Sequence, residues 1–300
     1  MHDIIVIGGG PAGLCAAVYA RRANKTVMVI EKATYGGQIT FSPKVENIPG
    51  FASVTGNEFA ERLVDQAISQ GVDFEYCEAT EIKDGDVKTV VTDSSEFEAK
   101  AVIIATGAKH RHLGLPNEDR FIGDGISFCA VCDGAFFRDK TVAVIGGGNS
   151  ALQEALQLSE LAKKVHIIQN LDYLTGEAAL CSQVEKKDNI EITLGAVVDE
   201  IKDTETFSGI VVKTAEKRFD LSLDGMFLAI GLVPQNDKFA NVLTLNKWGY
   251  ADYTEACETE NKGIYVAGDC RSKMIRQVTT AVSDGAVAAL AACKYLDSLK

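Results

Sequence analysis

Two cysteines separated by two residues and followed at once by an acid are the chemically most suggestive group in the chain: Cys129-Ala130-Val131-Cys132-Asp133. At this spacing the sulfurs can close a small disulfide. A nearby helix start lowers a thiol pKa and raises the thiolate fraction available to attack another disulfide. A carboxyl group one residue on can give or take the proton that such an exchange moves. Zinc is a competing ligand, but a zinc site usually takes four protein ligands and there is no second C-x-x-C, so no metal is expected. A buried structural pair is the other alternative; redox work is favoured because dinucleotide-type domains accompany the pair.

The electrons for such a pair need a carrier. Gly8-Gly9-Gly10-Pro11-Ala12-Gly13 follows the apolar run Ile4-Ile5-Val6-Ile7 and precedes an alanine-rich stretch, the pattern of strand, glycine turn and helix. Gly8 permits the tight turn, Gly10 lets backbone approach a pyrophosphate, and Gly13 lets the helix pack close to the sheet. The helix N-terminus supplies amide donors and partial positive charge. Glu31 ends the second strand 23 residues after Gly8 and can accept hydrogen bonds from a ribose diol. The same unit recurs at Gly146-Gly147-Gly148-Asn149-Ser150-Ala151, with Gln169 in the place of Glu31. Two copies 138 residues apart indicate two related domains, since solenoid repeats are far shorter. The second copy has the alanine variant and no acid, so its occupancy does not follow from its fold.

These motifs need a frame. Residues 86–92 and 96–104 read as hairpin-like strands leading into Ala105-Thr106-Gly107, and residues 210–230 as further strands. A strand at 263–267, Gly268-Asp269 and a helix from about Gln277 to Leu296 close the chain. Pro and Gly interrupt the pattern near residues 112–116 and 233–236, the expected hinges. The expected fold is α/β: two Rossmann-like three-layer dinucleotide-binding domains, the second (113–234) inserted into the first (1–112 and 235–300). His166 reads as packed in a strand, His110 and His112 as solvated, and Trp248 as packing.

Composition bounds the partners. The 300 residues are 46% hydrophobic and 24% charged, ordinary for a globular chain with a sizeable core. No run approaches the roughly 18 apolar residues of a membrane span. The start MHDIIVIGGG reads as a strand rather than a signal peptide. With 30 basic and 42 acidic residues the formal charge is −12, which disfavours nucleic acid. Eight cysteines with one close pair and no export signal suggest a cytoplasmic chain whose other thiols are reduced packing residues.

Together these pieces resemble the low-molecular-weight thioredoxin reductases along nearly the whole chain. The shared pieces are the first fingerprint, Gly36-Gly37-Gln38, Val45-Glu46-Asn47 with Pro49-Gly50, Ala105-Thr106-Gly107, the C-x-x-C-D-G stretch, Gly268-Asp269 and Arg276-Gln277. The resemblance implies an FAD domain with contacts from Gly8, Gly10, Pro11, Ala12, Gly13, Glu31, Gly37, Gln38, Asn47, Thr106, Gly107, Gly268, Asp269, Arg276, Gln277 and Val278. Gly268-Asp269 would lie near the ribityl phosphate end, and Arg276-Gln277-Val278 would start a helix beneath the flavin pyrimidine. The resemblance further implies that Cys132 faces the flavin, Cys129 attacks the target disulfide of thioredoxin, and Asp133 handles the proton. It also implies a homodimer in which the inserted domain rotates between two states.

One departure bears on the electron donor. Family members that use NADPH carry His-Arg-Arg and a further Arg after the second strand of the second copy, to grip the 2′-phosphate. Here the arginine positions are Asn170, Leu171 and Thr175, and Asp172 is anionic. Gln169 is no acid for a 2′-hydroxyl either. The chain is therefore similar to the branch that takes electrons from reduced ferredoxin. Three other readings start from the same motifs: an NADPH-using reductase with a divergent loop, a relative with a second flavin in the vacant site, and a flavin-bound redox sensor that is not an enzyme.

Overall fold

The opening apolar run forms β1 (His2–Ile7), with its last four side chains buried. The computed structural model, which describes residues 1–42, 45–202 and 204–299, divides into two units. One comprises Met1–Pro43, Ile48–Lys109 and Val233–Lys300, the other Lys44–Asn47 and His110–Leu232.

In the first unit β1 leads through the glycine turn into α1 (Pro11–Arg22). Pro11 sits at the start of the helix, where its missing N–H costs nothing, and Arg21 and Arg22 lie in the last turn, where cations complement the dipole. Then follow β2 (Val27–Glu31), α2 (Gly56–Ser69), β3 (Asp73–Tyr76), β4 (Ala79–Lys83), β5 (Lys88–Thr92), β6 (Glu96–Ile104) and β7 (Ala108–His110).

The sheet order is β3-β2-β1-β6-β5-β4. The long β6 serves two purposes. Its residues 101–104 run parallel to β1, while residues 96–99 pair antiparallel with β5. Alternation assigns the two faces: Ile4 and Val6 pack among the helices, and Ile5 and Ile7 pack into the layer under the β4–β5 hairpin.

The second unit repeats the plan. It contains α3 (Glu118–Phe121), β8 (Ile126–Ser127), α4 (Ala130–Asp133), β9 (Thr141–Ile145), α5 (Asn149–Ser159), β10 (Lys164–Ile168), α6 (Ala178–Glu185) and β11 (Ile190–Thr193). An antiparallel trio follows, β12 (Val197–Ile201), β13 (Gly209–Lys213) and β14 (Arg218–Ser222), and then β15 (Gly225–Leu228). The parallel sheet runs β11-β10-β9-β15-β8. The chain leaves through β16 (Leu232–Pro234), paired with β7, and ends in β17 (Ile264–Val266), parallel to β6, and α7 (Val278–Ser298). The α/β fold with two Rossmann-like units is thus present. Among the described residues no helix is long and apolar enough to cross a membrane.

Two readings are corrected by the structure, and four strands went unread. The strands β3, β4, β11 and β12 are short and carry charges on their open faces, so neither period stands out in the sequence. Trp248 does not pack: it is 66% exposed, with Lys247 Nζ 4.3 Å from its ring centroid. His110 is not solvated but stacks on Phe128 at 4.4 Å. His166, by contrast, is buried in β10.

Helices α1 and α7 cross closely at Gly285, where a Cβ would lie 2.1 Å from the Ala12 carbonyl oxygen. Gly285→Ala must therefore separate them. The expected cost is about 1–3 kcal/mol of overpacking, measured as a lower denaturation midpoint of the first unit; an unchanged midpoint would show that the crossing is not tight.

Candidate active site

In the first unit the candidate residues collect at the C-terminal ends of β1, β2 and β6, the usual ligand edge of an open α/β sheet. Gly8 turns with φ +113°, and a Cβ there would meet the Ala105 carbonyl oxygen at 2.2 Å. A Cβ on Gly13 would lie 1.9 Å from the Gly8 carbonyl oxygen, so only glycine lets α1 start this close to the strand. Gly10 is different: the nearest atom to its virtual Cβ is Gly37 Cα at 4.0 Å, which leaves open space at the helix start. The first amides of α1 have no intrahelical acceptor and are available to an anion.

Glu31 is fixed for accepting further bonds. Its Oε2 accepts from Gly9 N at 2.7 Å and its Oε1 from Ala33 N at 2.8 Å. The Gly36 amide donates to the Gly9 carbonyl at 2.8 Å, which brings Gly37 beside Gly10, while Gln38 is exposed in the next turn.

Asp269 lies just past β17, after Ala267 and Gly268. Its Oδ1 is buried without a hydrogen-bond partner, and burial pushes its carboxyl pKa up. Such an oxygen needs a donor; a ligand hydroxyl at this edge would supply one. Arg276 holds the neighbouring backbone: it donates from Nε to the Asp269 carbonyl at 3.3 Å and from Nη2 to the Arg271 carbonyl at 3.2 Å, with its guanidinium 4.2 Å from the Tyr250 ring centroid. Gln277 caps α7 in a reciprocal pair with Thr280, and Val278 is the first helical residue.

Several residues that sequence reasoning missed hold this edge together. Asp284 Oδ2 accepts from Gly268 N at 3.0 Å, Lys273 Nζ at 3.0 Å and Arg271 Nε at 3.3 Å, and its Oδ1 accepts from Arg271 Nη2 at 3.2 Å. Arg271 is only 1% exposed. Asn236 is fully buried and donates to the Gly249 and Cys270 carbonyls at 2.9 and 2.8 Å, while Thr106 Oγ1 donates to its Oδ1 at 3.3 Å. Asp284 did leave a signal: it is the one charged residue between positions 278 and 293.

In the second unit Cys129 and Cys132 are disulfide-bonded, with Cα atoms 5.3 Å apart. Cys129 is the N-cap of α4, and its carbonyl accepts from the amides of Cys132 and Asp133 at 3.2 and 3.0 Å. Both cysteines are half-buried and Val131 between them is exposed. Asp133 Oδ2 accepts from Ser127 Oγ at 2.6 Å, while its Oδ1 is buried without a partner. Burial pushes the Asp133 pKa up, and the serine bond partly offsets this. Asn47, in the 44–47 segment that groups with this unit, points its Nδ2 at Cys132 Sγ, 3.9 Å away. His110, stacked beside Phe128, is pushed down to about 4 by burial and by His112.

The second glycine turn keeps its backbone. Gly146 has φ +127°, with a virtual Cβ 2.5 Å from the Ala229 carbonyl oxygen. The loop after β10 folds back on it: the amides of Thr175 and Gly176 donate to the Gly147 carbonyl at 2.8 and 3.0 Å. Gln169 is buried, with Nε2 donating to the Tyr173 carbonyl at 3.3 Å. Asn170, Leu171 and Thr175 are exposed, and none is a cation.

Comparison with known proteins agrees with this arrangement. The family model described as pyridine nucleotide-disulphide oxidoreductase matches residues 2–285. The chain is 37% identical over 304 residues to the thioredoxin reductase of Bacillus subtilis, covering 100% of this chain and 96% of that one. It is 40% identical over 299 residues to a Clostridium pasteurianum protein described as the 34.2 kDa protein in the rubredoxin operon, covering 98% and 97%. The crystal structure of a Streptococcus pyogenes thioredoxin reductase superposes with a TM-score of 0.94 at 37% identity, covering 99% of both chains.

One buried acid lies outside these motifs. Glu154 is on α5, the helix whose Gln157 Nε2 donates to the Ala130 carbonyl of α4 at 3.4 Å. Its Oε2 is buried without a partner, and burial pushes its pKa from 4.5 up to about 8. Folding therefore takes up a proton between these values. The group's contribution is fully present below about 4.5 and is lost as pH rises through about 8. Glu154→Gln is expected to match the parent in urea stability at pH 5 and to exceed it at pH 9. Parallel stability curves for the two proteins would contradict this.

Proposed function

Because the chain belongs to the pyridine nucleotide-disulphide oxidoreductase family, among the thioredoxin reductases, we propose that it is an FAD-dependent enzyme that reduces thioredoxin through Cys129 and Cys132, with reduced ferredoxin rather than NADPH as electron source. FAD, when bound, supplies a two-electron carrier that can be filled one electron at a time. The residues of the first unit fit it. Glu31 offers acceptor capacity to a ribose diol, the start of α1 offers amides and an open face at Gly10 to a pyrophosphate, and the unpartnered Asp269 Oδ1 suits a ribityl hydroxyl. The N-terminus of α7, set by Gln277, favours negative charge on the ring. We assign FAD binding to residues 1–112 and 235–300 and the redox pair to the inserted domain, 113–234.

In the second unit Cys132 is assigned to receive electrons and Cys129 to attack the partner disulfide. Asp133 supplies the proton for the leaving sulfur through its unpartnered Oδ1.

The observation that carries the choice of donor is the loop after β10. Without cations at Asn170, Leu171 and Thr175, two or three charge-assisted bonds to a 2′-phosphate are lost, at about 1.5–3 kcal/mol each. Ferredoxin is energetically sufficient. Low-potential ferredoxins lie near about −400 mV and thioredoxin near about −270 mV, so two electrons fall by about 6 kcal/mol. The assembly we propose is a homodimer, checked by its mass in solution.

The test is anaerobic bleaching of the bound flavin with NADPH, NADH and reduced ferredoxin side by side, followed by thioredoxin turnover. Ferredoxin is expected to bleach the flavin and sustain turnover, with NADPH at least about tenfold slower, matching the loss of one or more charged bonds, and NADH slow as well because Gln169 offers no acid to a 2′-hydroxyl. Brisk bleaching by micromolar NADPH with no response to ferredoxin would overturn the donor assignment. Flavin above one per chain would instead indicate a second flavin on the second glycine turn. Cys132→Ser is expected to abolish thioredoxin reduction with every donor; retained turnover would remove the dithiol from the pathway.

A further inference from the structure

Ser127 ends β8, the edge strand of the second sheet, and its side chain is buried. A buried hydroxyl must spend its one proton and its lone pairs on definite partners. Here both are identified. Cys129 N donates to Ser127 Oγ at 3.1 Å. An amide can only donate, so it occupies a lone pair and leaves the hydroxyl proton for the other neighbour, Asp133 Oδ2, at 2.6 Å. The direction runs from the Cys129 amide through the serine to the acid. With Oδ2 engaged, Oδ1 is the carboxyl oxygen left without a partner.

We propose that Ser127 is a positioning residue for disulfide exchange: it ties the acid Asp133 to the backbone of Cys129 and leaves Oδ1 as the oxygen that carries the transferable proton. This deepens the reading above and rests on its assignment of Asp133 as the proton donor. In the exchange the Cys129 thiolate attacks one sulfur of the partner disulfide. The partner S–S bond breaks, a mixed disulfide forms on Cys129, and the departing sulfur takes the proton from Asp133 Oδ1. Cys132 then attacks Cys129 Sγ, the mixed bond breaks, and the second partner sulfur leaves with the proton given up by the Cys132 thiol. Two electrons and two protons reach the partner, the Cys129–Cys132 bond is restored, and Asp133 is left as a carboxylate. The serine proton then bonds that carboxylate, which favours its release of the proton at the moment the leaving sulfur needs it.

The hydroxyl can be removed without opening a large space, since alanine differs by one oxygen. The full-length protein is loaded with FAD, reduced anaerobically with dithionite and mixed in stopped flow with two oxidants. Bis(2-hydroxyethyl) disulfide has a basic alkyl thiolate leaving group that needs a proton. 5,5′-Dithiobis(2-nitrobenzoate) has a weakly basic leaving group that does not. Ser127→Ala is expected to slow the alkyl disulfide by about tenfold or more and the aryl disulfide by no more than about twofold. The alkyl rate falls as pH rises through the Asp133 pKa. Because the serine bond favours the carboxylate, its loss should move that fall upward by about one pH unit. Ser127→Thr, which keeps the hydroxyl, should restore rate and profile.

Equal slowing with both oxidants would mark Ser127 as merely structural and overturn the proposal, as would an unmoved pH profile. Asp133→Asn separates the two levels. If it slows only the alkyl disulfide while Ser127→Ala changes nothing, the acid assignment stands and the serine proposal fails. If Asp133→Asn leaves the alkyl rate intact, the acid assignment fails and takes the serine with it.

Discussion

A guanidinium buried between two carboxylates, Asp284 and Glu255, underlies the candidate ligand edge of the first unit. Arg271 and Asp284 meet through two nitrogens, and Lys273 adds a second cation to the same carboxylate. A lone buried charge would cost several kcal/mol, and here Arg271 is matched by Asp284 and Glu255, and Asp284 by Arg271 and Lys273. The geometry explains why the pair is useful. Asp284 also accepts from Gly268 N, so the turn after β17 is held to α7. One residue on, Gly285 brings α7 against Ala12, in the first turn of α1. The ionic cluster thus fixes the two elements that flank the helix start. Asp269, next to Gly268, keeps a buried oxygen in reserve because its neighbours are already committed elsewhere.

The two glycine turns share one backbone solution. Gly8 and Gly146 adopt nearly the same positive φ, and in both a Cβ would strike a carbonyl oxygen of the adjacent strand end. That constraint is steric and persists whatever ligand is bound. What differs lies at the ends of the second strands. Glu31 is anchored by two amides yet retains acceptor capacity, whereas Gln169 turns inward and donates to its own loop. Backbone close packing therefore preserves the fold of the second unit while the side chains that select a dinucleotide are free to change.

Much of this was legible in the sequence, for reasons that can be named. β1 and β9 are continuous apolar runs because both faces of a parallel strand are buried, and each is followed by glycines at fixed offsets. The long helix α7 was readable as a long alanine-rich apolar stretch. The dithiol was readable from its spacing taken together with the dinucleotide-type domains around it. The short edge strands were not, because charges on their exposed faces break the alternation. Nor were Asn236 and Arg271, whose partners lie 13 or more residues away; their importance comes from burial, which residue type conceals. His110 misled for the same reason: a histidine between a lysine and an arginine reads as surface, but Phe128 supplies an aromatic face for it.

The disposition of polar atoms around the dithiol argues against a merely structural disulfide. A structural bridge needs apolar cover and gains nothing from an acid at its end. Here the carboxyl of Asp133 is kept at a cost, with one oxygen bonded and the other buried and unpaired, and burial raises its pKa toward the range where it can carry a proton. The amides of Cys132 and Asp133 converge on the Cys129 carbonyl, and the Cys132 amide also points at Cys129 Sγ at 3.2 Å. A donor so placed stabilises negative charge on that sulfur more than it stabilises a neutral thiol. The local chain thus sets an N–H donor at the Cys129 sulfur and a buried, half-bonded carboxyl directly after Cys132, an arrangement that a purely structural bridge does not need.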